Sequence, residues 1–140
     1  MSLFKKKAAR AKPEDREGEE QAALMAEIAL RYPEVFALIY HIPNGGHRHI
    51  KVAIKLKEQG VKAGVPDLKL PMARGGFFGL YIEFKATPPY AAPVSPSQRA
   101  YIKALNAQGY LAIVCRGHVE AMEQLRAYLR LAPTRVIACA

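Results

Sequence analysis

Long apolar runs are missing from this sequence. None of its hydrophobic stretches approaches the roughly 20 residues needed to cross a bilayer, so no membrane partner is expected. The lysines at 5–7 are not followed by the apolar segment of a secretory leader. Cysteine is scarce too. Cys115 and Cys139 lack metal-ligand spacing and cannot form the bridge-rich framework of a small secreted domain. Cys115 sits in an apolar run and reads as a buried free thiol in a reducing cytoplasm, bacterial or that of a phage-infected host. Acid is in deficit: 12 Asp and Glu face 21 Lys and Arg, for a net charge of +9. That balance suggests a polyanionic partner, although basicity alone also suits many proteins that bind no nucleic acid. The 140 residues are enough for one domain with a buried core.

What is present centres on residues 64–85, GVPDLKLPMARGGFFGLYIEFK. Two short apolar runs, at 65–70 and 80–84, flank a connector rich in Gly and Pro, which reads as a hairpin. Alternation along a strand puts Glu83 and Lys85 on one face and Phe84 on the other. If Asp67 lies across from them, two carboxylates and an ammonium converge. That is the chemistry of a hard divalent cation held by oxygen, with a lysine beside it. Charges on a solvated hairpin face would look the same in isolation.

The flanking chain reads as follows. Residues 1–13 form a disordered basic tail and 14–140 a single domain. A helix begins at Pro13 and runs to about Arg31, with Met25, Ile28, Ala29 and Tyr32 recurring at helical spacing. Glu17 and Gln21 share that stripe, whereas Glu20 falls on a more polar face. Glu17 is either a third carboxylate reaching a site or a solvated first-turn acid, and the spacing favours neither. Residues 36–42 read as a strand, followed by a PNGG turn. His47 and His49 are loop or helix-start residues. A helix over 48–59, closed by Gly60, would turn Ile50, Ala53, Ile54 and Leu56 to the core. It would also align Arg48, Lys51 and Lys55 as a basic stripe. After a proline-rich loop, a helix from Pro96 or Ser97 to Gly109 turns Tyr101, Ala104 and Leu105 inward. A buried strand over 110–115 and a helix over 119–131 follow, the latter with Val119, Met122, Leu125 and Leu129 as its core stripe. The segment 135–139 is an edge strand or a dimer contact. The order predicts an α/β fold, a small mixed sheet flanked by helices.

Taken together, ExxxQ (Glu17, Gln21), IPNGGHRH (42–49), LKEQGVKAGVPDL (56–68), GLYIEFK (79–85), SPSQ (95–98) and QGYLAIVCRG (108–117) resemble the VRR-NUC family. This is the virus-type replication-repair nuclease branch of the PD-(D/E)xK superfamily. The resemblance spans roughly residues 16–129, with the motifs in family order. It implies a restriction-endonuclease-like core and a metal-dependent DNA endonuclease. Stand-alone members resemble phage-encoded dimers that cut branched DNA as Holliday junction resolvases. In that frame Asp67, Glu83 and the Phe84 carbonyl would hold Mg²⁺ or Mn²⁺, with Glu17 completing the site. Glu20 stays open as an alternative first-motif acid. Lys85 would orient the attacking water and stabilise phosphorane charge rather than act as general base. Gln98, from SPxQ, would orient the site by hydrogen bonding. Arg48, Lys51, Lys55 and Lys62 would hold phosphates without reading bases. The products would be a 5′-phosphate and a 3′-hydroxyl. Competing readings are a flap, nicking or recombination endonuclease without junction preference, and a nonenzymatic basic DNA-binding protein on the same scaffold.

Overall fold

The computed structural model describes residues 14–43 and 49–137. The expected basic tail, Arg48 and the NGG turn lie outside the described residues. Helix α1 (Arg16–Arg31) begins three residues later than Pro13 because Asp15 takes the cap, its Oδ1 accepting from Gly18 N at 2.9 Å. Leu24 and Ile28, one turn apart, are fully buried, with Met25 and Tyr32 packed beside them.

The strand expected over 36–42 is mostly something else. A helical turn α2 (Pro33–Phe36) comes first, and strand β1 is only Tyr40–His41. Proline at the first helical position pre-sets the turn, and Ile39 N–H closes it by donating to Val35 O at 2.8 Å. Val35 and Ile39 are buried while Phe36, Leu38 and Tyr40 are exposed, so burial here follows a period near four, not two.

Helix α3 (Ile50–Glu58) forms as expected, with His49 as N-cap and Gly60 at φ +102° just beyond Gln59. Its packing differs from expectation: Ile50, Ala53 and Ile54 are exposed and only Leu56 is partly covered. It connects β1 to β2 (Leu68–Leu70), which are antiparallel neighbours, so the topology does not require this helix to cross a sheet face.

Strand β2 pairs antiparallel with β3 (Leu80–Lys85), confirming the hairpin. Helix α4 (Pro96–Ala107) then carries the chain to β4 (Leu111–Arg116), parallel to β3, and α5 (His118–Leu129) follows. The sheet order is β1-β2-β3-β4. β4 is therefore an edge strand, only partly buried rather than fully covered. All six residues of β3 are buried, and its two faces do different jobs. Leu80, Ile82 and Phe84 enter the core with Leu24 and Ile28 of α1 and Met122, Leu125 and Tyr128 of α5. Tyr81, Glu83 and Lys85 face the other way, toward Tyr110 and α4.

Three smaller expectations shift. In α5 the core stripe is Ala121, Met122, Leu125 and Tyr128 with Leu129 partly covered, and Val119 in the first turn is exposed. In α4 Tyr101 and Leu105 are half-buried but Ala104 is exposed. Among the described residues 135–137 form no strand; an isolated bridge joins Arg74 to Pro133 instead, and Ile137 is exposed.

Candidate active site

Glu83 and Lys85 are the only charged side chains among the buried described residues. They lie side by side on β3, with Lys85 Nζ 3.4 Å from Glu83 Oε1. Such a pair is tolerated in a core only if further hydrogen bonds satisfy it. Gln98 supplies them. Its Nε2 donates to Glu83 Oε1 at 2.7 Å, and its Oε1 accepts from Lys85 Nζ at 3.2 Å. An amide can serve both signs at once; neither a carboxylate nor an amine can. The position of Gln98 is fixed by helix capping. Ser95 caps α4 by accepting from Gln98 N, and Gln98 Oε1 accepts Ser95 N in return at 2.8 Å. The approach to α4 requires Gly64: at φ +85°, a Cβ there would stand 2.4 Å from Ser97 O.

Asp67 immediately precedes β2. Extending the β2–β3 register by two residues sets Pro66 opposite Phe84. Proline has no N–H, so it cannot bond the Phe84 carbonyl, and the Phe84 N–H goes to Asp67 Oδ2 at 2.7 Å. The Pro-Asp pair thus ends the ladder, keeps the Phe84 carbonyl clear of a strand partner and anchors the Asp67 carboxylate beside Glu83. His41 supports Asp67 from behind. Its Nδ1 lies 2.8 Å from Asp67 O and 3.0 Å from Gln21 Nε2, donating to the first or accepting from the second according to tautomer.

Burial pushes the Glu83 carboxyl up, and the charge of Asp67 adds to it against the opposing pull of Lys85, to about 7. Glu17 is raised as well, first by burial, with Lys85 and Asp67 both acting on it. Glu17 therefore shares the electrostatic neighbourhood of the pair. Glu20 does not. Its carboxylate is committed to Thr87, accepting from the backbone N–H at 2.7 Å and from the hydroxyl. Desolvation raises Glu20, but those bonds prevail and hold it below the ordinary carboxylate range.

A VRR-NUC domain model matches residues 15–119, three quarters of the chain. The chain belongs to the VRR-NUC family. A solved structure described as a VRR_NUC domain protein is similar over 89% of this chain and 97% of that one, at 30% identity and a TM-score of 0.75. Comparison with curated proteins gives no match. The family lies within the PD-(D/E)xK nucleases, so this VRR-NUC domain is a nuclease domain of that type, acting on DNA, with the α/β core its sequence implied.

Among the described residues, no three His, Cys, Asp or Glu side chains of the VRR-NUC domain gather tightly enough to cage an ion by themselves. A magnesium-like ion does not need such a cage, because it keeps several waters and binds through one or two carboxylates. The donor set fits that pattern. Glu83 Oε2 is buried without a hydrogen-bond partner, and the charge of Asp67 acts on the same carboxyl. An orphaned buried carboxylate oxygen is costly, and a cation would satisfy it.

The basic residues are less concentrated. Lys51 and Lys55 stand exposed on α3, and Lys62 is exposed in the loop before Gly64. Arg48 lies outside the described residues. Ser95 and His41 were not singled out from sequence as site supports. The S-x-x-Q capping box was a usable signal for Ser95. For His41 the only clue was a lone polar residue in an apolar run.

Proposed function

We propose that this domain is a divalent-metal-dependent endonuclease that hydrolyses phosphodiester bonds in branched DNA, working as a homodimer that resolves four-way junctions. The carrying observation is the orphaned Glu83 Oε2 beside Asp67, Lys85 and Gln98. Asp67, Glu83 and the Phe84 carbonyl would hold the ion, Mg²⁺ or Mn²⁺, with Glu17 completing the set. The chemistry such an ion would supply is polarisation of the scissile phosphate and a more acidic water. Lys85 then has one task. Fixed by Glu83 and Gln98, its ammonium orients the water and meets the charge that grows on the phosphoryl oxygens. Gln98 is a positioning residue that holds the carboxylate and the ammonium at a set spacing. Glu17, raised by burial, is the first-motif acid; Glu20 ties α1 to Thr87 instead. Arg48, Lys51, Lys55 and Lys62 hold phosphates without reading bases, which suits recognition by DNA shape.

A twofold dimer suits a junction, which offers two symmetric scissile phosphates. The test is cleavage of an end-labelled four-way junction, flap, splayed arm and duplex of matched sequence, each with Mg²⁺, Mn²⁺ or EDTA. Paired symmetric nicks in the junction, abolished by EDTA, are expected. Cutting confined to flaps or duplex would leave the nuclease and remove the resolvase. Tight binding with no cutting under any ion would make the domain a binding module.

A further inference from the structure

Among the described residues strand β4 has one unpaired edge, and it is nearly closed. Leu111 N donates to Gly79 O and Gly117 N to Lys85 O, so the odd positions of β4 bond toward β3 and the even ones face outward. Of the outward positions, Ala112 is covered by Asn106, whose Oδ1 accepts its N–H at 2.8 Å and whose Nδ2 donates to its carbonyl. Arg116 N donates to Glu120 Oε2 at 3.1 Å. Between these two side-chain caps only Val114 is left. Caps of this kind block the addition of a further strand.

Val114 forms part of the floor of a groove of about 790 Å³, walled by Val94, Arg99, Ile102, Lys103 and Arg116. Arg99, Ile102, Lys103 and Asn106 are spaced by three and four along α4 and so make one stripe. Among the described residues, three cations line this groove and no acid does, and Glu120 at its end has one oxygen committed to Arg116 N. Arg99 is braced across the mouth, donating to Val94 O at 2.5 Å. The groove also abuts the catalytic patch: Arg99 follows Gln98, and Arg116 is the register partner of Lys85.

We propose that this groove is a phosphate-binding track for the DNA strand that runs through the active site, holding its backbone away from the scissile bond. Arg99, Lys103, Arg116 and the Val114 N–H donate to phosphate oxygens, while Val94 and Ile102 pack on sugar. An extended peptide would need consecutive open edge positions, which Asn106 and Glu120 remove. The proposal rests on the nuclease reading and adds a binding surface that the basic stripe of α3 does not include.

The test is binding of a labelled four-way junction and a matched duplex to the full chain in EDTA, across a salt series. Lys103 is exposed, so Lys103→Gln should leave the thermal midpoint in place. It should weaken both DNAs by roughly threefold and flatten the slope of log affinity against log salt by about 0.9. Lys103→Arg should restore both. The triple variant Arg99→Gln/Lys103→Gln/Arg116→Gln should flatten the slope by two to three times as much. Arg130→Gln, an equal charge loss at the far end of α5, should leave the slope unchanged. Equal effects from Arg130→Gln and Lys103→Gln would reduce the groove to net charge and overturn it. An unchanged slope in Lys103→Gln would overturn it too, as would a change in sedimentation alone, which would make the groove a contact between copies. If wild type cuts DNA while the slopes do not move, only the groove fails; if wild type neither binds nor cuts DNA, both readings fail.

Discussion

Gln98→Glu tests the two-sided role of the amide without disturbing the fold around it. Glutamate at this helix position preserves the capping box with Ser95, so α4 keeps its start. What changes is the atom 2.7 Å from Glu83 Oε1, from an N–H donor to a carboxylate oxygen. Two unit charges at that spacing repel by about 6 kcal/mol at an effective dielectric near 20. The site escapes by keeping a proton between the two carboxylates, at about 1.4 kcal/mol for each pH unit above the introduced group's own titration. The variant's cleavage rate relative to wild type should therefore fall with rising pH, by up to tenfold per unit between about pH 6 and 9. Gln98→Ala keeps the Ser95 cap on the backbone N–H but loses the reciprocal bond to Ser95 N and both site bonds, about 3 kcal/mol together, and its defect should be flat with pH. Single-turnover cleavage across that range reads the difference. A Gln98→Glu defect as flat as that of Gln98→Ala would refute the argument that the amide works by matching opposite charges.

Other outcomes follow from the same geometry. Glu83 has its carboxyl raised to about 7, so between about pH 4.5 and 7 the folded chain binds more protons than the unfolded one. The metal-free protein should therefore lose on the order of 3 kcal/mol of stability as pH rises through that window, visible as a falling urea midpoint; a rising midpoint would contradict it. Glu17→Gln should abolish cleavage and leave or raise the melting temperature, whereas Glu20→Gln should keep most activity and cost about 1 kcal/mol through weaker bonds to Thr87. The paired thermal melts and rates separate the two acids. Gly64→Ala puts a Cβ at positive φ and 2.4 Å from Ser97 O. It should destabilise by at least about 2 kcal/mol, and displacement of Gln98 should slow cleavage even below the new melting point.

The parts of this chain that sequence made legible are those where a local rule and the tertiary structure agree. Period-two alternation placed Glu83 and Lys85 on one face, and the Gly/Pro connector marked the hairpin that brings Asp67 alongside. Prediction failed where local pattern was ambiguous. Residues 36–42 are apolar enough for a strand, but Pro33 starts a helical turn and the buried pair Val35 and Ile39 keeps its spacing. Ile50 and Ile54 obey helical periodicity yet face solvent, because a helix inserted between antiparallel neighbours has no sheet face assigned to it. Helical spacing set Glu17 on the apolar stripe and Glu20 on a more polar face, but the contact that occupies Glu20, with Thr87, lies far along the chain. The support from His41 and the closed edge of β4 are likewise long-range facts that no local pattern encodes.

The most direct measurement is cleavage of an end-labelled four-way junction with Mg²⁺ by wild type, Lys85→Ala and Glu83→Gln, with thermal melts confirming that each chain is folded. Wild type should cut, and either folded variant should be slowed by about a hundred- to a thousandfold, the scale set by loss of a group that stabilises transition-state charge. Cleavage by folded Lys85→Ala within a few-fold of wild type would place the chemistry elsewhere on the molecule.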